Sequence, residues 1–204
     1  MKNIQTDLLS GLVFLAVISF TMTSCYSVKK SVEESYPNSQ AIVWPEAYTP
    51  EEAKFFVHNE IEISAPAEAV WEVLIQADEW EDYYSGASNL ELGSNQSGRL
   101  SENSVFSWKT MGLDFTSYIK EFKPPFRLSW ESNRKSIRGY HAWLIIPTAE
   151  GCKLITSEAQ HGFMTLPQKV FVPKKLEGLH DEWLAQIKTR AESTELESLS
   201  RVSE

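Results

Sequence analysis

The sequence predicts an α+β domain in which a curved antiparallel sheet wraps around one long C-terminal helix. Two-residue periodicity runs almost without a break from Val105 to Gly162. An apolar stripe at helical spacing, Leu176, Leu179, Trp183 and Ile187, then occupies residues 174–192, with charges opposite. Only short helical stretches separate the first strand from that run. About six antiparallel strands and a single long amphipathic helix can bury their apolar faces together only if the sheet curls around the helix.

The first strand lies in VHNEIEI, where Val57, Ile61 and Ile63 share one face and His58, Glu60 and Glu62 the other. His58 is expected to face solvent. Pro66 suits the start of a helix and Glu68 its first turn, where the dipole favours a carboxylate. Ala67, Val70, Trp71 and Leu74 recur at helical spacing, which turns Trp71 into the core. Trp80, Tyr83 and Tyr84 follow in a second short helix or turn.

VFSWK places Phe106 and Trp108 on one face, and after a turn at Met111-Gly112 the strand LDFTSYIKEF groups Phe115, Ser117 and Ile119. KPPF is a break, since proline cannot donate to a ladder. RLSWES puts Leu128 and Trp130 together. RGYHAWLIIP sets His141, Trp143 and Ile145 against Tyr140, Ala142, Leu144 and Ile146. TAEG is a hairpin turn, and CKLITSEAQHG returns with Leu154, Thr156 and Glu158 on one face.

That hairpin carries the main site expectation. With Pro147 opposite Cys152, Ile145 faces Leu154, Trp143 faces Thr156 and His141 faces Glu158, with Cβ atoms roughly 5 Å apart. A histidine and a glutamate then meet on a face otherwise lined by tryptophan and aliphatic residues. A structural ion pair, a polar handle for a ligand headgroup, and acid–base catalysis with Glu158 acting on His141 are the three readings. A slip of one residue would separate the two side chains.

Composition narrows the function. The chain has 204 residues, 42% hydrophobic and 12% aromatic, with a net charge of −9 and no run of cations longer than two. Nucleic-acid binding needs clustered cations and is excluded on this ground. The sequence has no HExxH, glycine-rich phosphate loop or GxSxG, and its four histidines are scattered, so no metal or cofactor is expected. Cys152 opens an apolar strand and reads as a buried, inert thiol.

The N-terminus stands apart. Residues 1–24 contain an apolar run from Leu8 to Met22, about fifteen residues and short of the ~20 that span a bilayer. Thr23-Ser24-Cys25 after it resembles the lipobox of bacterial lipoprotein signal peptides, in which the cysteine becomes the lipid-modified first residue. A retained signal anchor and a soluble secreted protein are the alternatives. The lipoprotein reading places the protein in the bacterial envelope, on the periplasmic or surface side, held to a membrane through Cys25. Residues 25–54 read as a tether that becomes a lead-in, where Trp44 and Tyr48 should pack on the domain and Thr49-Pro50-Glu51-Glu52 should start a short helix. The domain proper spans 55–192, and 193–204 is expected to be a flexible tail.

Between Trp44 and Glu192 the chain resembles the helix-grip proteins of the Bet v 1/START superfamily, SRPBCC or polyketide cyclase/dehydrase type. The resemblance is carried by I-x-I-x-A-P-x-x-V-W-x-x-L at Ile61–Leu74, F-x-W-x-T-x-G at Phe106–Gly112 and S-x-I-x-E-F-x-P-P-x-R-L-x-W at Ser117–Trp130. G-x-H-x-W at Gly139–Trp143 and G-x-x-L-x-T-x-E at Gly151–Glu158 continue it. It implies a deep cavity between sheet and C-terminal helix that takes a hydrophobic small molecule or lipid. Superfamily members include cyclases, dehydratases and non-catalytic carriers. The cavity candidates are Trp80 and Tyr84 near its mouth, Phe106, Trp108, Phe115 and Ser117 on the middle strands, and Trp130, His141, Trp143 and Glu158 beyond. Aromatic rows in a curved sheet are more often core than cavity lining. His161 is expected in the loop before the last helix, which in such folds can gate the cavity, and His180 is expected on the exposed side of that helix.

Overall fold

A computed structural model describes residues 42–93 and 97–202, with side chains described through residue 196. The signal-peptide segment, Cys25 and the tether up to residue 41 lie outside the described residues. No helix among the described residues is long and apolar enough to cross a membrane.

The element order is β1 (Phe55–Ile63), α1 (Ala67–Ile75), a 3-10 turn (Ala77–Glu79), α2 (Trp80–Tyr83), β2 (Ser88–Leu92), β3 (Val105–Thr110) and β4 (Leu113–Lys123). Then come β5 (Arg127–Arg134), β6 (Ile137–Thr148), β7 (Gly151–His161), α3 (Thr165–Phe171) and α4 (Lys175–Val202). The seven strands form one sheet in the order β1-β7-β6-β5-β4-β3-β2, with every neighbouring pair antiparallel. A register shift in β4 between Ile119 and Glu121 marks a bulge, the device by which a strand bends. Met111 and Gly112 both take positive φ, 54° and 81°, the conformation of a tight hairpin between β3 and β4. This is the helix-grip architecture.

α4 lies across the concave face against β1, β7 and α1. Trp183, Leu184, Ile187 and Ala191 are buried there with Trp80, Phe106, Trp130 and Trp143. The rings interlock edge to face: Trp183 meets Trp80 at 4.9 Å and 78°, and Trp143 at 4.9 Å and 82°. The middle of the helix is pinned by charged side chains. Lys188 Nζ donates to the Glu62 carbonyl, Glu192 accepts from the Ser64 amide, and Glu182 accepts from the amide and hydroxyl of Ser85.

A second core covers the convex face. Ile42 and Tyr48 pack on Tyr140, Ala142, Leu144, Ile155 and Ala159, with Trp44 and Phe56 at the margin. The Tyr48 hydroxyl donates to Glu131 Oε1 at 2.7 Å. β6 is therefore buried on both faces, although its sequence alternates.

Several expectations are corrected. His58 does not face water: its side chain is 7% exposed and its Nδ1 is 2.8 Å from the Ser157 hydroxyl of the paired strand. Thr49–Glu52 forms a turn, and the helical turn precedes it, at Glu46–Tyr48. His161 closes β7 rather than entering a loop, and its ring meets Tyr48 at 5.5 Å. A helix, α3, occupies the segment read as a loop. α4 continues to Val202, past residue 192.

Candidate functional site

The site begins with register. β6 and β7 pair with Pro147 opposite Cys152, and His141 stands opposite Glu158 on the concave face. His141 Nδ1 and Glu158 Oε2 are 3.4 Å apart. A third group arrives from α4, where the helical repeat that buries Leu176, Trp183, Leu184 and Ile187 also turns His180 inward. His180 is 1% exposed, not on the solvent side, and its Nε2 is 3.5 Å from Glu158 Oε2. The two imidazoles stack at 4.8 Å with 30° between their planes.

Each member is held from behind. His141 Nε2 is 2.6 Å from the Thr156 hydroxyl, and its ring stacks on Trp143 at 5.1 Å. Glu158 Oε1 accepts from the Gln160 amide at 2.6 Å. Gly139 leaves room for that oxygen, since a Cβ at this position would lie 2.9 Å from it. Neither ring nitrogen of His180 has a hydrogen-bond partner.

Burial, with His180 alongside, pushes the His141 imidazolium down to a pKa of about 3, against an opposing pull from Glu158. His141 is therefore neutral at ordinary pH. Burial alone would raise the carboxyl of Glu158. Its contacts with His180, His141 and Gln160 outweigh that and hold it below the usual carboxylate range. The floor of the site thus carries a half-buried carboxylate flanked by two buried imidazoles.

Around this floor is a narrow, partly open pocket with a cavity volume of about 40 Å³. Tyr84, Trp108, Phe115 and Trp130 form its aromatic wall, with Ser132 and Gln160 as polar neighbours. Met111, Leu113, Ile137 and Gln168 line it and also line an adjoining apolar groove of about 250 Å³ bounded by Met164, Pro167, Phe171 and Val172 of the α3 region.

Of the sequence candidates, Tyr84, Trp108, Phe115, Trp130, His141 and Glu158 reach the pocket. Trp80, Phe106, Ser117 and Trp143 do not line it. Trp80 is fully buried, with its indole N–H on the Leu74 carbonyl, and so is core rather than mouth. Phe106 and Trp143 pack among the other rings, and Ser117 accepts from the Trp108 indole and bonds the Ser132 hydroxyl. Much of the expected deep cavity is therefore filled by the protein's own aromatic side chains, leaving the end nearest α3 open. His180 was missed because a histidine was assigned to the polar side of α4, though it falls four residues after Leu176 and four before Leu184. The cluster escaped any search by spacing because its three members sit on β6, β7 and α4. Cys152 is buried, with its thiol pushed up to a pKa of about 11 by burial and nearby carboxylates, as an inert core cysteine should be.

Fold and pocket together define a helix-grip protein with a small, partly open pocket on its concave face. Residues 54–192 match the model of a family described as polyketide cyclase / dehydrase and lipid transport, and the chain belongs to that family. No curated protein matches it. Among solved structures, it is similar to hypothetical protein jhp0584 from Helicobacter pylori, at 26% identity over 74% of this chain and 95% of that one, with a TM-score of 0.68. The di-domain ARO/CYC StfQ of the steffimycin biosynthetic pathway shares 14% identity over 68% of this chain and 51% of its own, with a TM-score of 0.58. A point mutant of Thalictrum norcoclaurine synthase, in complex with a transition state analogue, shares 15% over 69% of this chain and 95% of its own, with a TM-score of 0.54. The last two likenesses concern the fold alone.

Proposed function

We propose that this chain binds an amphipathic small molecule, a lipid or a compact hydrophobic metabolite, with its polar head on the Glu158–His180–Gln160 floor. The apolar body runs past Trp108, Trp130 and Phe115 to Met111, Leu113 and Ile137, and its far end lies in the groove beside α3. The observation that carries this reading is the polarity of the pocket: the Glu158 carboxylate with His141, His180 and Gln160 at the floor, and mostly aromatic and aliphatic side chains elsewhere, with Thr110, Ser132 and Gln168 among them. The apolar groove beside α3 adds about 250 Å³ to the narrow pocket above this floor, and apolar sites with few convergent polar groups suit such ligands. Trp130 adds a buried indole N–H with no acceptor. The family's association with lipid transport supports the same ligand class.

A carrier role fits His141 better than catalysis does. A general base at neutral pH needs a pKa near the working pH, and burial takes His141 far below it. We further propose attachment to an envelope membrane through lipid on Cys25, which would keep the domain near a source of such ligands. Mass spectrometry of the N-terminal peptide from the native host tests the anchor: a diacylated Cys25 is expected, and an unmodified residue 25 would contradict it. The ligand is tested by native mass spectrometry of protein purified from its own host.

A further inference from the structure

The geometry points to a divalent transition-metal site formed by His141, Glu158 and His180. The inference goes beyond ligand binding and stands independently of it. Three protein ligands of the N,N,O type suit zinc, iron(II) or cobalt(II), with an open position left for water or another donor.

The distances fit. A tetrahedral ion with bonds of ~2.0–2.1 Å sets its ligand atoms roughly 3.3 Å apart. Glu158 Oε2 is 3.4 Å from His141 Nδ1 and 3.5 Å from His180 Nε2, and one ligand atom from each of the three residues lies within 4.8 Å of the others. The residues behind the cluster are arranged as outer partners of a metal site usually are. Thr156 engages His141 at Nε2, which turns Nδ1 to the cluster. Gln160 occupies Glu158 Oε1, leaving Oε2 for the two imidazoles. Gly139 supplies the space that lets the carboxylate sit there. A second observation points to an occupant: His180 Nδ1 is buried without a hydrogen-bond partner, and Nε2 has only its 3.5 Å contact with Glu158 Oε2. Buried polar atoms are nearly always satisfied, and a cation between His180 Nε2 and Glu158 Oε2 would satisfy both groups. The cluster also opens on the pocket, since all three residues line it. Tyr84 and Ser132 line the same pocket, so a ligand head there lies near the cluster.

The test uses untagged full-length protein, dialysed against a chelator and delipidated, titrated with zinc chloride by calorimetry and with cobalt(II) by visible absorption. One equivalent is expected to bind with micromolar or tighter affinity, with cobalt d–d bands of a tetrahedral or five-coordinate N,N,O site. His180→Ala and Glu158→Gln should each weaken binding at least tenfold, the second variant serving if the first does not fold. Absence of binding tighter than millimolar, or binding unchanged in a folded variant, overturns the site. The latter would mean an adventitious ion only. Failure here leaves the ligand reading intact, because ligand loss is measured separately on native material.

Discussion

Glu158 Oε2 and His180 Nε2 lie 3.5 Å apart, joining the seventh strand to the C-terminal helix at the floor of the pocket. The contact connects two elements that are otherwise held by apolar packing. If it contributes to that junction, a double-mutant cycle of Glu158→Gln and His180→Asn should give a coupling on the order of 0.5–3 kcal/mol in urea unfolding. Additive effects would show that the two groups merely sit near one another.

Trp183 touches the rings of Trp80, Tyr84 and Trp143, and it stacks on Tyr84 at 4.2 Å and 11°. Trp183→Ala should cost about 3–5 kcal/mol, the range for removing a large buried aromatic, while Trp183→Phe should cost markedly less. Denaturant midpoints at fixed m-value report both. A loss below about 1 kcal/mol would mean that the helix is not gripped through this side chain.

Gly139 faces the carboxylate of Glu158. Gly139→Ala should leave unfolding almost unchanged, because the end of a flexible side chain can move away. It should nevertheless displace Glu158 Oε1 from Gln160 and weaken binding at the floor. Far-UV circular dichroism together with zinc titration separates the two effects, and wild-type affinity in the variant would contradict the stated role of this glycine.

Stability should fall on acidification through the histidine range. Burial lowers the pKa of His58 in the folded state, against the opposing pull of Glu60, so the unfolded chain takes up a proton first as pH drops below about 6.5. The depressed folded value means that the contribution is present above 6.5 and is lost as pH falls toward the folded pKa. Urea unfolding at pH 7.5, 6.5 and 5.5 should show this decline, and His58→Gln should make it shallower. An identical slope in the variant would remove His58 from the account.

The fold was legible because its signals are periodic and local. The TAEG turn fixed the register of β6 and β7, so the meeting of His141 and Glu158 followed from counting along two strands. The rest required packing. His58 and His180 were read as exposed because histidine is polar, whereas their positions on β1 and α4 put them under other elements. For His180 the helical spacing from Leu176 and Leu184 held the answer. α3, with Pro167 inside it, gave no clean periodic signal. The division of aromatic residues between core and pocket wall depends on which rings fill the concavity. That is a matter of summed volumes which no single strand pattern contains.

The central claim is that the pocket above Glu158 holds an amphipathic molecule. Native mass spectrometry of the protein isolated from its own host, compared before and after organic extraction, tests it most directly. The account predicts a stoichiometric adduct with an apolar body and a polar head, lost on extraction and reduced in a Glu158→Gln variant purified the same way. A protein mass without adduct under gentle conditions, with no lipid or hydrophobic metabolite in the extract, would contradict it and leave a grip filled by its own tryptophans.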